Sequence, residues 1–169
     1  MHENLHQSLI ETANKWIGVK EATNHNDGPE VEMFQKAVDG KAQGESWCMA
    51  FVQFCLQQVE SVENIRTNMF SSEHCLTVWN KTHEDMHRTD PQPGYIVIWQ
   101  HGDTTQGHTG IVTGVVDENH FSTIEGNTGD GSGVVRDGDG VYYRTRSIAG
   151  AGSMKVVGFI DPFAETILP

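Results

Sequence analysis

A thiol, an imidazole and a carboxylate in this 169-residue sequence have the types and settings to break an acyl bond together. The thiol is Cys48, in Gly44-Glu45-Ser46-Trp47-Cys48-Met49-Ala50-Phe51-Val52-Gln53-Phe54-Cys55. This stretch reads as a turn that breaks into a buried helix. Gly44 and Ser46 are loop and N-cap types, and from Met49 onward apolar residues dominate on most faces. Cys48 is therefore expected in the first helical turn, where free backbone N–H groups and the positive end of the helix dipole favour an anion. A thiol there ionises more easily than a free cysteine and can act as a nucleophile. Cys55 lies two turns further along, among apolar neighbours, and reads as inert core.

A thiolate needs a base, and the base needs an orienting group. The candidate base is His108, in Gly107-His108-Thr109-Gly110-Ile111-Val112. The candidate orienting groups are Glu125 and Asn127, in Ile124-Glu125-Gly126-Asn127. Glu125 is favoured, because a carboxylate also stabilises the imidazolium that forms; Asn127 is a second orienting group or a polar wall. Glu-Gly-Asn at a strand end is otherwise ordinary turn chemistry. Of the nine histidines, His108 alone sits on a strand beside such partners. His101 falls in a loop, and His2, His6, His25, His83 and His87 fall in polar stretches expected to be exposed.

The elements that must position these groups follow from periodicity. Leu5, Leu9, Ile10, Ala13, Trp16 and Ile17 recur at helical spacing up to Gly18. Pro29 opens a second helix that turns Val31, Phe34, Ala37 and Val38 inward. The cysteine helix follows, and Ser71-Ser72-Glu73 caps a fourth through Cys75, Leu76 and Trp79. Beyond Asp90-Pro91-Gln92-Pro93-Gly94 the pattern changes to strands: 95–99, 109–116, 120–126, 134–136, 141–144 and 155–160. Helices first and strands after imply an α+β fold, with N-terminal helices packed on a C-terminal antiparallel sheet. The cysteine helix should be clamped against that sheet. One domain spanning 1–169 is expected, since no linker, repeat or low-complexity tract interrupts the chain.

The hairpin between the strands of His108 and Glu125 is a test of the site. If Glu118-Asn119 is a two-residue turn, His108 shares a sheet face with Glu125 and Asn127. A three-residue loop would put them on opposite faces.

Composition bounds the partners. The net charge is -12, which argues against nucleic acid, because phosphate binding needs a basic stripe. No apolar run is long enough to insert in a membrane. Three cysteines are too few for a disulfide framework, and no CxxC occurs that could supply half of a structural zinc site. A metalloprotein with His and Cys ligands is nevertheless a possible alternative class. The N-terminus lacks the basic start and apolar run of a secretory signal.

Trp47-Cys48-x-x-Phe51-Val52, Pro93-Gly94-Tyr95-Ile96-Val97, Gly107-His108-x-Gly110-Ile111-Val112 and Glu125-Gly126-Asn127 occur in the order seen in the CHAP domain, the cysteine- and histidine-dependent amidohydrolases/peptidases. The sequence resembles that family over nearly its whole length. The resemblance implies a papain-like fold and bacterial peptidoglycan as the partner, with cleavage of an amide bond. By carry-over, Cys48 is the nucleophile, His108 the general base, Glu125 the orienting group and Asn127 an accessory residue. Tyr95 stands where members more often carry an aspartate. Some members bind calcium near the N-terminus. Asn24, Asn26, Asp27 and Glu30 are the comparable group here, but their few charges suit a solvated loop or substrate rim better, and no cofactor is expected. A protein of this kind without a signal would be made in the cytoplasm and reach the wall through a holin or an injection system. An inactive wall-binding module of the same fold is the alternative, and a delivery or inhibitor protein is an open question.

Overall fold

A computed structural model describes residues 3–131 and 138–164 of the chain. The N-terminal half forms four helices: α1 (Glu3–Asn14), α2 (Pro29–Asp39), α3 (Cys48–Glu63) and α4 (Cys75–Lys81). A short 3-10 turn, Glu84–Met86, leads into strands β1 (His87–Arg88), β2 (Ile96–His101), β3 (Gly107–Val115), β4 (His120–Thr128), β5 (Gly140–Ser147) and β6 (Met154–Ile160). The strands form one sheet in the order β1-β6-β2-β3-β4-β5, with every pairing antiparallel. This is the α+β arrangement expected from the sequence. The stretch 134–136, expected as a strand, lies outside the described residues. No helix among the described residues is long and apolar enough to cross a membrane.

Strand alternation gives the sheet two apolar faces. Ile96, Ile98, Ile111, Ile124, Val141 and Ile160 join the helices in the main core, while Val97, Trp99, Val112, Phe121 and Phe159 form a second, smaller cluster. Helix α3 is the central helix of the main core. Residues 48–56 are all buried, and it packs on α1, α2, β3 and β4. Each large side chain buried this way contributes roughly 1.5–3 kcal/mol.

Several local expectations are corrected. Helix α1 ends at Asn14, and the chain tightens into three-residue turns from Ala13 to Trp16 and from Asn14 to Ile17. That rotation leaves Ile17 exposed rather than in the core. The N-cap of α3 is Trp47, not Ser46, and no side chain caps it. Likewise α4 begins after His74, with Ser72 Oγ accepting the His74 N–H from outside the helix. His6 and His87 are not exposed: His6 pairs with Asp161 at 2.8 Å, and His87 stacks on Trp79 at 3.7 Å between ring centres.

The β3–β4 hairpin reaches the right face by an unexpected route. Val115 pairs with Phe121 and Gly114 with Ser122, and Val116 and Asp117 both donate backbone N–H groups to the His120 carbonyl. The loop is thus Asp117-Glu118-Asn119, three residues long, held by Asp117 Oδ1 accepting the Asn119 N–H at 2.8 Å. That parity alone would separate His108 from Glu125. A bulge between Val112 and Gly114 inserts Thr113 and slips the register by one, so that Val112 faces Thr123 and Ile111 faces Ile124. The slip returns His108 and Glu125 to one face.

Candidate active site

Cys48 is the first residue of α3, and the first helical bond runs from Phe51 N–H to the Trp47 carbonyl. The N–H groups of Cys48, Met49 and Ala50 are therefore left without helical partners. That of Met49 turns to the Cys48 sulfur. Three further influences act on the thiol. Cys75 Sγ, from the first residue of α4, lies 3.7 Å away as a hydrogen-bond partner. Burial opposes ionisation, and the neighbouring His108 imidazole favours it. The Cys75 hydrogen bond is the largest of these, and together with His108 it holds the Cys48 thiol well below its ordinary range. Cys55, with burial alone acting on it, is pushed up.

His108 sits on β3 directly across from Trp99 of β2, with the two rings stacked 5.4 Å apart at 21°. Its Nε2 is bonded to Glu125 Oε1 at 2.7 Å, which leaves Nδ1 as the nitrogen for the sulfur. Burial presses the imidazole toward neutrality, but the hydrogen bonds to Cys48 and Glu125 outweigh it and raise its pKa to about 9. The thiol is lowered and the imidazole raised, and both shifts run toward a thiolate–imidazolium pair.

Glu125 is completely buried. It lies across Gly110, where a Cβ would stand 2.5 Å from Glu125 Cγ. The second glycine of Gly107-His108-x-Gly110 therefore makes room for the carboxylate. Arg146 of β5 grips that carboxylate through two bonds, Nε to Oε2 at 2.8 Å and Nη2 to Oε1 at 2.5 Å. Thr123 Oγ1 donates a short hydrogen bond to Oε2. Burial pushes the carboxyl up, yet Arg146 and His108 together hold it well below the usual carboxylate range. The Arg146 guanidinium also lies 5.2 Å over the Trp99 ring, so one indole flanks both cations.

Asn127 does not join this chain of partners. It adopts a left-handed backbone, φ 51°, and its Nδ2 donates to Ser46 Oγ at 2.8 Å. It thereby pins the loop before α3 to the end of β4. Gly126, between Glu125 and Asn127, abuts α3: a Cβ there would fall 2.7 Å from Phe51 Cβ and 2.9 Å from the Trp47 ring. The structure thus brings Cys48, His108 and Glu125 together and sets Asn127 at the wall beside them.

Cys48 and His108 open onto a cleft of about 540 Å³, bordered also by Asn26, Asn127, Arg144 and His101. His101 is the last residue of β2 rather than a loop residue. Trp47 and Trp99 are core side chains and Tyr143 is exposed on β5; none of the three borders the cleft. In the N-terminal loop, Asp27 accepts from the Thr23 backbone N–H at 2.9 Å and from its hydroxyl. Asn26 donates to the Gly44 carbonyl at 3.1 Å. Among the described residues no group of three or more His, Cys, Asp or Glu side chains is arranged to hold a metal ion.

Arg146 and Cys75 had no signal in a motif. The run 141–144 stops short of Arg146, although Tyr142, Arg144 and Arg146 continue the alternation of a strand, and β5 does extend to Ser147. Cys75 lies on a helix far from Cys48 in sequence, and only the tertiary fold joins them.

No curated protein and no solved structure matched the chain. A family model, the CHAP domain, matches residues 40–127. The match covers more than half of the chain and includes Cys48, His108, Glu125 and Asn127, but ends before Arg146. The chain belongs to the CHAP domain family, a family of amidase- and peptidase-like hydrolases.

Proposed function

We propose that this protein hydrolyses an amide bond of bacterial peptidoglycan by thiol chemistry, with Cys48 as nucleophile, His108 as acid–base group, Glu125 as its orienting partner and Asn127 as a positioning residue. The observation that carries the reading is that Cys48, at a helix start, and His108, bonded to Glu125, line one cleft. The Cys48 thiolate attacks the carbonyl carbon of the scissile amide. Unpaired N–H groups at the start of α3 face the oxyanion that forms. The His108 imidazolium then gives its proton to the leaving amine, and neutral His108 activates the water that hydrolyses the thioester. The cleft wall of Asn26, Asn127 and Arg144 suits a polar peptide carrying carboxylates.

The bond is a stem-peptide or cross-bridge amide, or the bond between N-acetylmuramic acid and L-alanine. The protein meets it in the wall after delivery across the membrane. Mass spectrometry of purified peptidoglycan after digestion identifies the bond. Release of fragments should vanish with Cys48→Ala and with Cys48→Ser while both variants melt near the parent. Cys55→Ala should release fragments. Substantial release by Cys48→Ala would refute the thiol mechanism.

A further inference from the structure

Cys75 has no covalent part in that mechanism, yet its sulfur faces the nucleophile at 3.7 Å. Both sulfurs are free and buried. The two come from the first turns of different helices, α3 and α4. The strand that carries His108 closes over Cys75 as well: a Cβ at Gly107 would stand 3.0 Å from Cys75 Cβ and 2.8 Å from the Trp99 carbonyl oxygen. Two thiols, one of them bordering the cleft together with the His108 imidazole, are therefore held face to face by three elements. A disulfide needs its sulfurs at about 2.05 Å, so they must approach by roughly 1.7 Å.

We propose that Cys48 and Cys75 are a two-cysteine oxidation site, in which a hydroperoxide oxidises Cys48 and Cys75 resolves it as a reversible disulfide. The cleft admits the oxidant to Cys48. The thiolate attacks the nearer peroxide oxygen and the O–O bond breaks. Cys48 becomes a sulfenic acid, oxidised by two electrons, and the departing alkoxide or hydroxide takes the proton of His108. The Cys75 sulfur then attacks the Cys48 sulfur, the S–O bond breaks, and the hydroxide leaves with the Cys75 proton as water. A thiol reductant returns both thiols. Cys55, two turns into α3 and fully buried, takes no part. The disulfide would silence the nucleophile on exposure to hydroperoxide, and a thiol reductant would release it. That consequence rests on the hydrolase reading above; formation of the disulfide does not.

The test is thiol mapping of the intact protein after brief exposure to hydrogen peroxide, with no substrate present. The parent should lose about 2 Da, for the two thiol hydrogens. It should yield a cross-linked peptide joining Cys48 to Cys75 and regain both thiols in dithiothreitol. Cys75→Ser, with nothing to resolve the sulfenic acid, should instead carry Cys48 to the sulfinic acid, which dithiothreitol does not reverse. Cys48 reaching the sulfinic acid in the parent with no cross-link, or a cross-link through Cys55, would overturn the proposal. A peptidoglycan hydrolase that fails this mapping loses the oxidation site alone. A protein that forms the disulfide but releases no wall fragments loses the hydrolase reading alone.

Discussion

Two cysteines of one helix are both buried, yet their thiols are driven in opposite directions. Burial is common to both, so the difference comes from what else touches each sulfur. Cys48 meets a second thiol, an imidazole and the Met49 N–H; Cys55 meets apolar side chains. Position at the helix start was readable from the sequence, and so were His108 and Glu125, because each stands in a short motif whose residue types have a chemical use. Arg146 was not readable, because an arginine on a strand is ordinary until a buried carboxylate is known to face it. The raised imidazole gives a direct check. His108 is held near 9 by Cys48 and Glu125 against the effect of burial, so Glu125→Gln should lower it, the more so because Arg146 then remains as an unbalanced neighbouring cation. The alkaline limb of the activity profile should move down by about one pH unit or more. The Cys48 alkylation profile should move up, since a less stable imidazolium supports less thiolate. Iodoacetamide rates at Cys48 between pH 5 and 9 report this without substrate, and superimposable profiles for parent and variant would contradict the assigned role of Glu125.

The alternation and helical spacing that follow from residue type made the elements legible, while the contacts that align them were not. The hairpin loop is longer than the favourable turn, and only the bulge at Thr113 restores the shared face of His108 and Glu125. Nothing about Thr113 as a residue type announces a bulge; its hydroxyl pairs with Ser122 Oγ at 2.6 Å once the bulge exists. The glycines are a clearer case. Gly110 and Gly126 were visible as motif residues, and their reason is spatial: one leaves room for the Glu125 side chain, the other for the first turn of α3. Gly126→Ala should therefore push α3 away from β4, because the new methyl would sit 2.7 Å from Phe51 Cβ. Overpacking of this kind costs roughly 1–3 kcal/mol. Thermal melts should record the loss. Under the proposed function, release of wall fragments should fall further than the residual folded fraction explains, since the same helix start carries Cys48. Activity that tracks the folded fraction alone would show that the helix position is not critical.

Across the molecule, charge is mostly unbalanced at the surface and closely balanced inside. The chain carries -12 overall, while the buried Glu125 carboxylate is met by His108 on one side and by Arg146 on the other. A second, half-buried arrangement closes the helical layer onto the sheet. His6 of α1 bonds Asp161, just after β6, at 2.8 Å, and Arg88 of β1 approaches the same carboxylate at 3.7 Å. Gly94 lies so close to His6 that a Cβ there would fall 2.4 Å from His6 Cβ. Burial raises the Asp161 carboxyl, but the bond from His6 and the charges of His6 and Arg88 outweigh it, so its folded pKa lies below its unfolded one. A carboxylate depressed in this way contributes stability that is full above the unfolded value, about 3.9, and is lost as pH falls through the folded value. Asp161→Asn keeps the shape and removes the charge. In urea titrations at pH 6 the variant should be less stable by about 1.5–3 kcal/mol, the range for a hydrogen bond to a charged group. The gap should begin to narrow as the pH falls below about 3.9, where the unfolded carboxylate takes up its proton and the advantage of the folded one is progressively lost. A gap that stays constant from pH 6 to pH 3 would mean that packing around Asp161, rather than its charge, ties the two ends of the described chain together.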